Sequence, residues 1–251
     1  METVRISVVS YLNSKPFLFG IEQSNELKGI KISLDNPAAC AKKLMEGIVD
    51  IGLVPVAVLP RLKNYEIISD YCIGSIGPVT SVMLYSDVPL SEISKIWMDY
   101  QSMSSVALTK ILARKFWKIN PAWLSAEDGF ETKVKGSTAA VVIGDRTFEL
   151  KNNYKYEYDL GEEWFKFSHL PFVFACWVAA KKLPDLFVLQ FNHALNNGLG
   201  DLKSLSAEIA LTGKYKTNVY EYLSKHISYT LDTPKRRGLD LFLRLMEELS
   251  I

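Results

Sequence analysis

In Val9-Ser10-Tyr11-Leu12-Asn13-Ser14-Lys15-Pro16, two serines, a phenol and an amide follow an apolar run and precede a helix opened by Pro16. Hydroxyls, an amide and the unpaired backbone N–H groups of a helix start are donors suited to a carboxylate. Four polar side chains exceed what one helix cap requires, so the turn reads as one wall of an anion-binding cleft. Hydroxyls recur at the junctions Gly77-Pro78-Val79-Thr80-Ser81 and Ser102-Met103-Ser104-Ser105, and a fourth junction is Gly144-Asp145-Arg146. The candidate ligand-binding residues are therefore Ser10, Tyr11, Thr80, Ser81, Ser104, Ser105, Gly144 and Asp145. Glycine at 144 permits close backbone approach to a ligand, whereas Asp145 reads more readily as a helix cap.

Other chemistries lack their residues. His169, His193 and His226 are too far apart for metal-ligand spacing. His169 lies beside an apolar strand and reads as a surface or hinge residue. Dinucleotide-binding, Walker A, zinc-protease and nucleophile-elbow motifs are absent from the sequence. Cys40, Cys72 and Cys176 are odd in number and widely spaced, which suits core packing rather than a disulfide or zinc framework. What remains is an anion-binding cleft lined by neutral donors, with no evident general base.

The 251 residues, 48% hydrophobic and 23% charged, are enough for a substantial core. A formal net charge of +1 gives no electrostatic case for nucleic acid. The one basic cluster, Lys235-Arg236-Arg237, reads as a solvated helix start. The opening Met1–Val9 has an early acid and a short apolar run, so it reads as a buried first strand rather than a signal peptide. The longest apolar stretch, Leu170 to Ala180, is too short to span a membrane and contains Pro171. A cytoplasmic location is expected.

Strand and helix patterns alternate. A helix is expected from about Pro16 to Glu26, a strand at 29–34, and a helix over 37–47 with Asn36 as cap and Pro37 at its first position. A strand over 50–54 is expected to break at Pro55. Further strands fall at 81–86, 139–143 and 172–179, with a helix beginning near Ser104. From Leu183 onward the chain reads as helical, ending in a stripe of Leu239, Phe242, Leu243 and Met246. The order predicts an α/β protein of two lobes, with mostly parallel sheets covered by helices on both faces and a central ligand cleft. Lobe I comprises 1–85 and 176–251, and lobe II is the insertion 86–175. Hinge closure around a small molecule suits that plan.

Taken with Asp50-Ile51-Gly52-Leu53-Val54-Pro55, Val141-Val142-Ile143-Gly144-Asp145, Asp159-Leu160-Gly161-Glu162-Glu163-Trp164 and Leu170-Pro171-Phe172-Val173-Phe174-Ala175-Cys176-Trp177, the 9–16 segment resembles the chorismate dehydratases of the futalosine menaquinone pathway. The likeness covers nearly the whole chain in order. It implies a type II periplasmic-binding-protein-like fold and conversion of chorismate to 3-[(1-carboxyvinyl)oxy]benzoate and water, without metal or organic cofactor. One departure stands out: the family usually has Ser-Arg-Thr-Ser where this chain has Ser102-Met103-Ser104-Ser105. Hydroxyl and backbone donors must then hold a carboxylate alone, unless Arg146 or Lys15 compensates. Because the matched segments hold no histidine and no acid that reads as a general base, the substrate's own enolpyruvyl carboxylate is the expected proton acceptor, oriented by Asn13 as the catalytic residue. The alternatives are a non-catalytic cytoplasmic binding module for a small carboxylate, and the dihydroxynaphthoate synthase of the same fold. The latter should carry a different N-terminal motif and a reactive histidine.

Overall fold

The structure is a computed structural model that describes residues 3–251; Met1 and Glu2, part of the expected first strand, lie outside the described residues. From the N-terminus run β1 (Val4–Val9), α1 (Lys15–Gln23), β2 (Ile30–Asp35), α2 (Pro37–Met45), β3 (Ile51–Pro55) and β4 (Glu66–Ser75). There follow β5 (Val82–Ser86), β6 (Lys95–Met98), α3 (Met103–Leu112), β7 (Ala122–Ser125), β8 (Thr138–Ile143), α4 (Thr147–Leu150), β9 (Tyr156–Asp159) and α5 (Leu160–Ser168). The chain closes with β10 (Phe172–Ala179), α6 (Asp185–Gly200), α7 (Leu202–Leu211), α8 (Val219–Glu221), β11 (Ser228–Thr230) and α9 (Thr233–Glu248).

Two sheets form, in the orders β11-β4-β10-β3-β1-β2 and β7-β6-β8-β5-β9. Both are mixed rather than mostly parallel. In the first, β10 runs antiparallel to β3 and β4; in the second, β5 runs antiparallel to β8 and β9. These two strands follow the segments 76–81 and 169–171, where the chain passes from one sheet to the other, and each inserts between strands already running the opposite way. The expected limits at 85/86 and 175/176 cut through β5 and β10. Sheet membership supports a division at the crossovers instead, with β5 in lobe II and β10 in lobe I.

Every residue of β3 and β10 is buried, as near-continuous apolar runs in central strands require. At α2 the Asn36 side chain accepts from the Ala39 N–H at 2.8 Å, with Pro37 at the first turn. Pro55 ends β3 rather than breaking it, still in register with Ala175. In α9, Leu239, Phe242 and Met246 are buried and Leu243 packs beside them, half-buried. The helix start there is not fully solvated, because Lys235 is 1% exposed. Its stem packs beside Gly74, with Cδ 3.3 Å from where a Cβ would stand, and its Nζ reaches Asp232 at 3.2 Å, so an apolar stem carries a paired head. Strands β9 and β11 fall in stretches expected to be a polar loop and a helix. Both are edge strands, where half-burial leaves little apolar alternation to read.

Asp50 ties β1 to β3 and has a measurable signature. Its carboxylate accepts from the Arg5 backbone N–H at 2.8 Å and from the Arg5 guanidinium at 3.0 and 3.1 Å, with Lys181 Nζ at 3.1 Å. The Arg5 hydrogen bonds hold the carboxyl far below the usual carboxylate range, against the opposing effect of burial. A depressed folded pKa means the stabilisation is complete above the unfolded value, about 3.9, and is lost as pH falls through the folded one. Asp50→Asn should cost about 1–3 kcal/mol at pH 7. Thermal melts of the two proteins should converge as pH drops below about 4; a gap that persists unchanged at pH 2.5 would refute the assignment.

Candidate functional site

A cavity of about 50 Å³ lies between the lobes, lined from both of them and from the first crossover. It has room for only a few water molecules, so the lobes stand closed. Among the described residues, no charged side chain lines it. Lobe I contributes Val9, Tyr11, Asn13, Pro37 and Pro55, and lobe II contributes Ser102, Ser104, Ser105, Ile143 and Gly144. Val79 and Ser81 come from the first crossover, Phe174 and Ala175 from the start of β10. The N-terminal ends of α2 and α3 therefore face the cavity, bringing positive helix ends to a site without cationic side chains.

Hydroxyl polarity sorts the serines. Ser81 Oγ accepts from the Tyr222 hydroxyl at 2.8 Å. Ser105 Oγ accepts from Ser102 Oγ at 2.8 Å, while Ser102 Oγ in turn accepts from the Ser105 N–H at 3.1 Å as the α3 cap. Ser81 and Ser105, which line the cavity, thus each keep a hydroxyl proton that these bonds do not use. Ser104 does not, because its hydroxyl accepts from Ala57 N–H at 3.2 Å and donates to the Phe174 carbonyl at 2.9 Å. It lines the cavity but is spent on joining the lobes.

Asn13 sits in the 3₁₀ turn Leu12–Ser14 that leads into α1. Its Oδ1 is buried with no hydrogen-bond partner. A buried amide oxygen without a donor is destabilising by about 1–3 kcal/mol. Tyr11 closes one side: its hydroxyl donates to Gln101 Oε1 across the cleft, and burial together with the nearby Asp99 pushes that phenol far above its usual pKa. Its ring covers Gly144, whose φ is +72° and whose missing Cβ would stand 2.7 Å from the ring. Glycine at 144 makes room for Tyr11 rather than for backbone contact alone.

Three of the expected residues lie elsewhere. Ser10 is exposed, its side chain outside the cavity lining, with its N–H on the Asp35 carbonyl. Thr80, at φ +61°, gives its N–H to Asp159 and faces a neighbouring cavity. Asp145 does not cap its own helix. It reaches across to accept from the Leu12 N–H at 3.0 Å, occupying a helix-start donor expected to serve a ligand. Burial raises its pKa, an effect the Leu12 hydrogen bond partly offsets. Arg146 does not compensate for Met103, since its guanidinium pairs with Asp99 and with Glu131. His169 caps α5 at φ +57°, outside the cavity. Residues that the motifs did not mark as candidates are Ser102, whose cap role hid its contribution, and Tyr222, which no local pattern announces.

Two mixed α/β lobes, joined by two crossovers and closed on a cleft of neutral donors, define a protein of the periplasmic-binding-protein-like fold. The structure of protein AF1704 from Archaeoglobus fulgidus superposes with a TM-score of 0.77 at 11% identity, over 99% of this chain and 98% of that one. The alkanesulfonate-binding protein SsuA from Xanthomonas axonopodis pv. citri, bound to MOPS, gives 0.68 at 14% identity, over 100% and 94%. At the level of sequence the chain belongs to the menaquinone biosynthesis family, whose model matches residues 4–248. It is 27% identical over 237 residues to the chorismate dehydratase of Thermus thermophilus, covering 86% of each chain. No helix among the described residues is long and apolar enough to cross a membrane.

Proposed function

We propose that the protein is a chorismate dehydratase, a hydro-lyase that converts chorismate to 3-[(1-carboxyvinyl)oxy]benzoate and water. The observation that carries this reading is the closed, uncharged cleft in which Ser81 and Ser105 each hold a proton to donate while Asn13 Oδ1 lacks a partner. The menaquinone family membership and the named relative support the substrate.

The reaction removes the ring C3 proton and the C4 hydroxyl and makes an aromatic ring, a strong intrinsic driving force. C3 is conjugated with the ring carboxylate, so negative charge developed there spreads onto that group. Serine hydroxyls and helix N-termini aimed at it stabilise the transition state more than the ground state. The enolpyruvyl carboxylate takes the C3 proton, beside Asn13, and that proton leaves with the C4 oxygen as water. This scheme asks for no metal and no organic cofactor. Burial of the three free cysteines suits a reducing cytoplasm.

Metal-free protein incubated with chorismate should yield the benzoate product, read by ultraviolet absorbance and mass. Binding without turnover would instead support a non-catalytic module for a small carboxylate. Entry needs the lobes to part, so the Asp145–Leu12 and Tyr11–Gln101 contacts must break and reform in each cycle.

A further inference from the structure

We propose that Asp145 is a positioning residue: it holds the Leu12 N–H from the opposite lobe, seats the Asn13 turn when the lobes close, and so couples closure to assembly of the site. The inference rests on the chorismate dehydratase reading.

Asp145 lies in the turn Gly144–Arg146 that follows β8 of lobe II, and Leu12 opens the 3₁₀ turn that follows β1 of lobe I. Both carboxylate oxygens of Asp145 face the Leu12 N–H, at 3.0 and 3.3 Å. Among the described residues that N–H is the one hydrogen-bond partner of this side chain. Asp145 therefore spends no side-chain hydrogen bond on its own lobe, and all of its hydrogen bonding crosses the cleft. Two contacts flank it. The Tyr11 ring lies over Gly144, and the Tyr11 hydroxyl donates to Gln101 Oε1 of lobe II.

Lobe I holds the same turn by its carbonyls. Tyr229 donates to the Asn13 carbonyl at 3.1 Å, and Ser14 Oγ donates to the Tyr11 carbonyl at 2.9 Å. The backbone between the Leu12 N–H and the Asn13 carbonyl carries the Asn13 Cα, from which the amide side chain leaves. When the lobes part, lobe I holds one end of that span; when they close, Asp145 holds the other. The amide is then fixed in place at the stage when the cleft is shut to water, and its orientation is complete before the C3 proton moves. A hydrogen bond exchanged for bonds to water changes the free energy little. Once solvent reaches Asp145 and Leu12 the hold releases readily, as entry and exit require.

Three variants test this: Asp145→Ala, Asp145→Asn, and Asp145→Ala combined with Asn13→Ala. Asp145→Ala should lower kcat about tenfold or more, with KM within about threefold of wild type. Asp145→Asn keeps an oxygen for the Leu12 N–H and should retain at least about a third of kcat. In the Asn13→Ala background, Asp145→Ala should change kcat less than about twofold, because its route runs through Asn13. Amide hydrogen exchange, read by NMR on the ligand-free protein, reports the hold without any assay. In Asp145→Ala the Leu12 amide should exchange about tenfold faster or more, while Ile6 and Val8 of β1 keep wild-type protection. Wild-type kcat or wild-type Leu12 protection in Asp145→Ala would overturn the inference. So would a raised KM at unchanged kcat, an equal loss in Asp145→Asn, or an Asp145→Ala protein that fails to fold, which would place the side chain in the packing of its own lobe. Wild-type protein that makes no product would overturn the functional reading and the role of Asn13 with it, while Leu12 exchange would still decide whether Asp145 holds the turn.

Discussion

Replacing Asn13 with alanine should lower kcat for chorismate dehydration by about 10²–10³-fold, the usual cost of deleting a group that stabilises developing charge. The thermal midpoint should stay within a few degrees of wild type. The fold is expected to survive because the main-chain contacts of the turn do not use the side chain. Tyr229 holds the Asn13 carbonyl, Ser14 Oγ holds the Tyr11 carbonyl at 2.9 Å, and Asp145 holds the Leu12 N–H. Tyr222 keeps its bond to Ser81. The deletion also removes a buried oxygen without a partner, which offsets part of the lost packing. Activity falls because Asn13, which lines the cleft, is the group proposed to orient the enolpyruvyl carboxylate as it takes the C3 proton. The loss should then appear in kcat, with KM changed little. Steady-state kinetics beside a thermal melt decide the matter: kcat within threefold of wild type would end the catalytic assignment of Asn13.

The parts of this molecule legible in the sequence are those governed by local pattern. Asn36-Pro37 announces a capped helix because the cap and the fixed proline φ act within one turn. The runs in β3 and β10 announce central strands because burial on both faces leaves no polar alternation. The turn after β1 announces donors because it has more polar groups than a cap needs. Illegible are features set by what lies opposite in space. Ser104 and Ser105 are neighbours of one type, yet one hydroxyl is consumed by Ala57 and Phe174 and the other keeps its proton. Asp145 carries the composition of a cap but serves the other lobe. Tyr222 enters the site from 141 positions away from Ser81, on a segment whose pattern says only helix. Directions of strands fail for the same reason: β5 and β10 are apolar runs like their neighbours, and only the crossovers reverse them.

Gly198→Ala should be among the most destabilising single methyl additions in the protein, though helix propensity alone predicts the reverse. In a helix interior, alanine exceeds glycine by about 1 kcal/mol. Gly198, however, lies in α6 where that helix crosses α1. A Cβ there would overlap the Pro16 carbonyl oxygen outright, with the Gly20 backbone N and Cα at 2.9 and 3.0 Å. The reciprocal holds for Gly20, whose Cβ would overlap the Ala194 carbonyl. These are backbone atoms of rigid helices, so no side chain can swing aside and the helices must separate. Separation loosens contacts of Phe17 and Ile21 on α1 and of Phe191 and Leu195 on α6, all at most 1% exposed. Overpacking of this kind costs about 3 kcal/mol or more, well beyond the propensity gain. For a chain of this size that corresponds to a fall in Tm of roughly 6–12 °C. Because spreading the helices relieves both positions together, Gly20→Ala combined with Gly198→Ala should cost clearly less than the sum of the two. Activity should fall too, since α1 begins immediately after the Asn13 turn and a tilt of the helix moves that turn relative to Tyr229, which holds its carbonyl. Thermal melts of the two single variants and the double variant provide the check. A Gly198→Ala protein as stable as wild type would show that the α1–α6 crossing is not the rigid seat of the site.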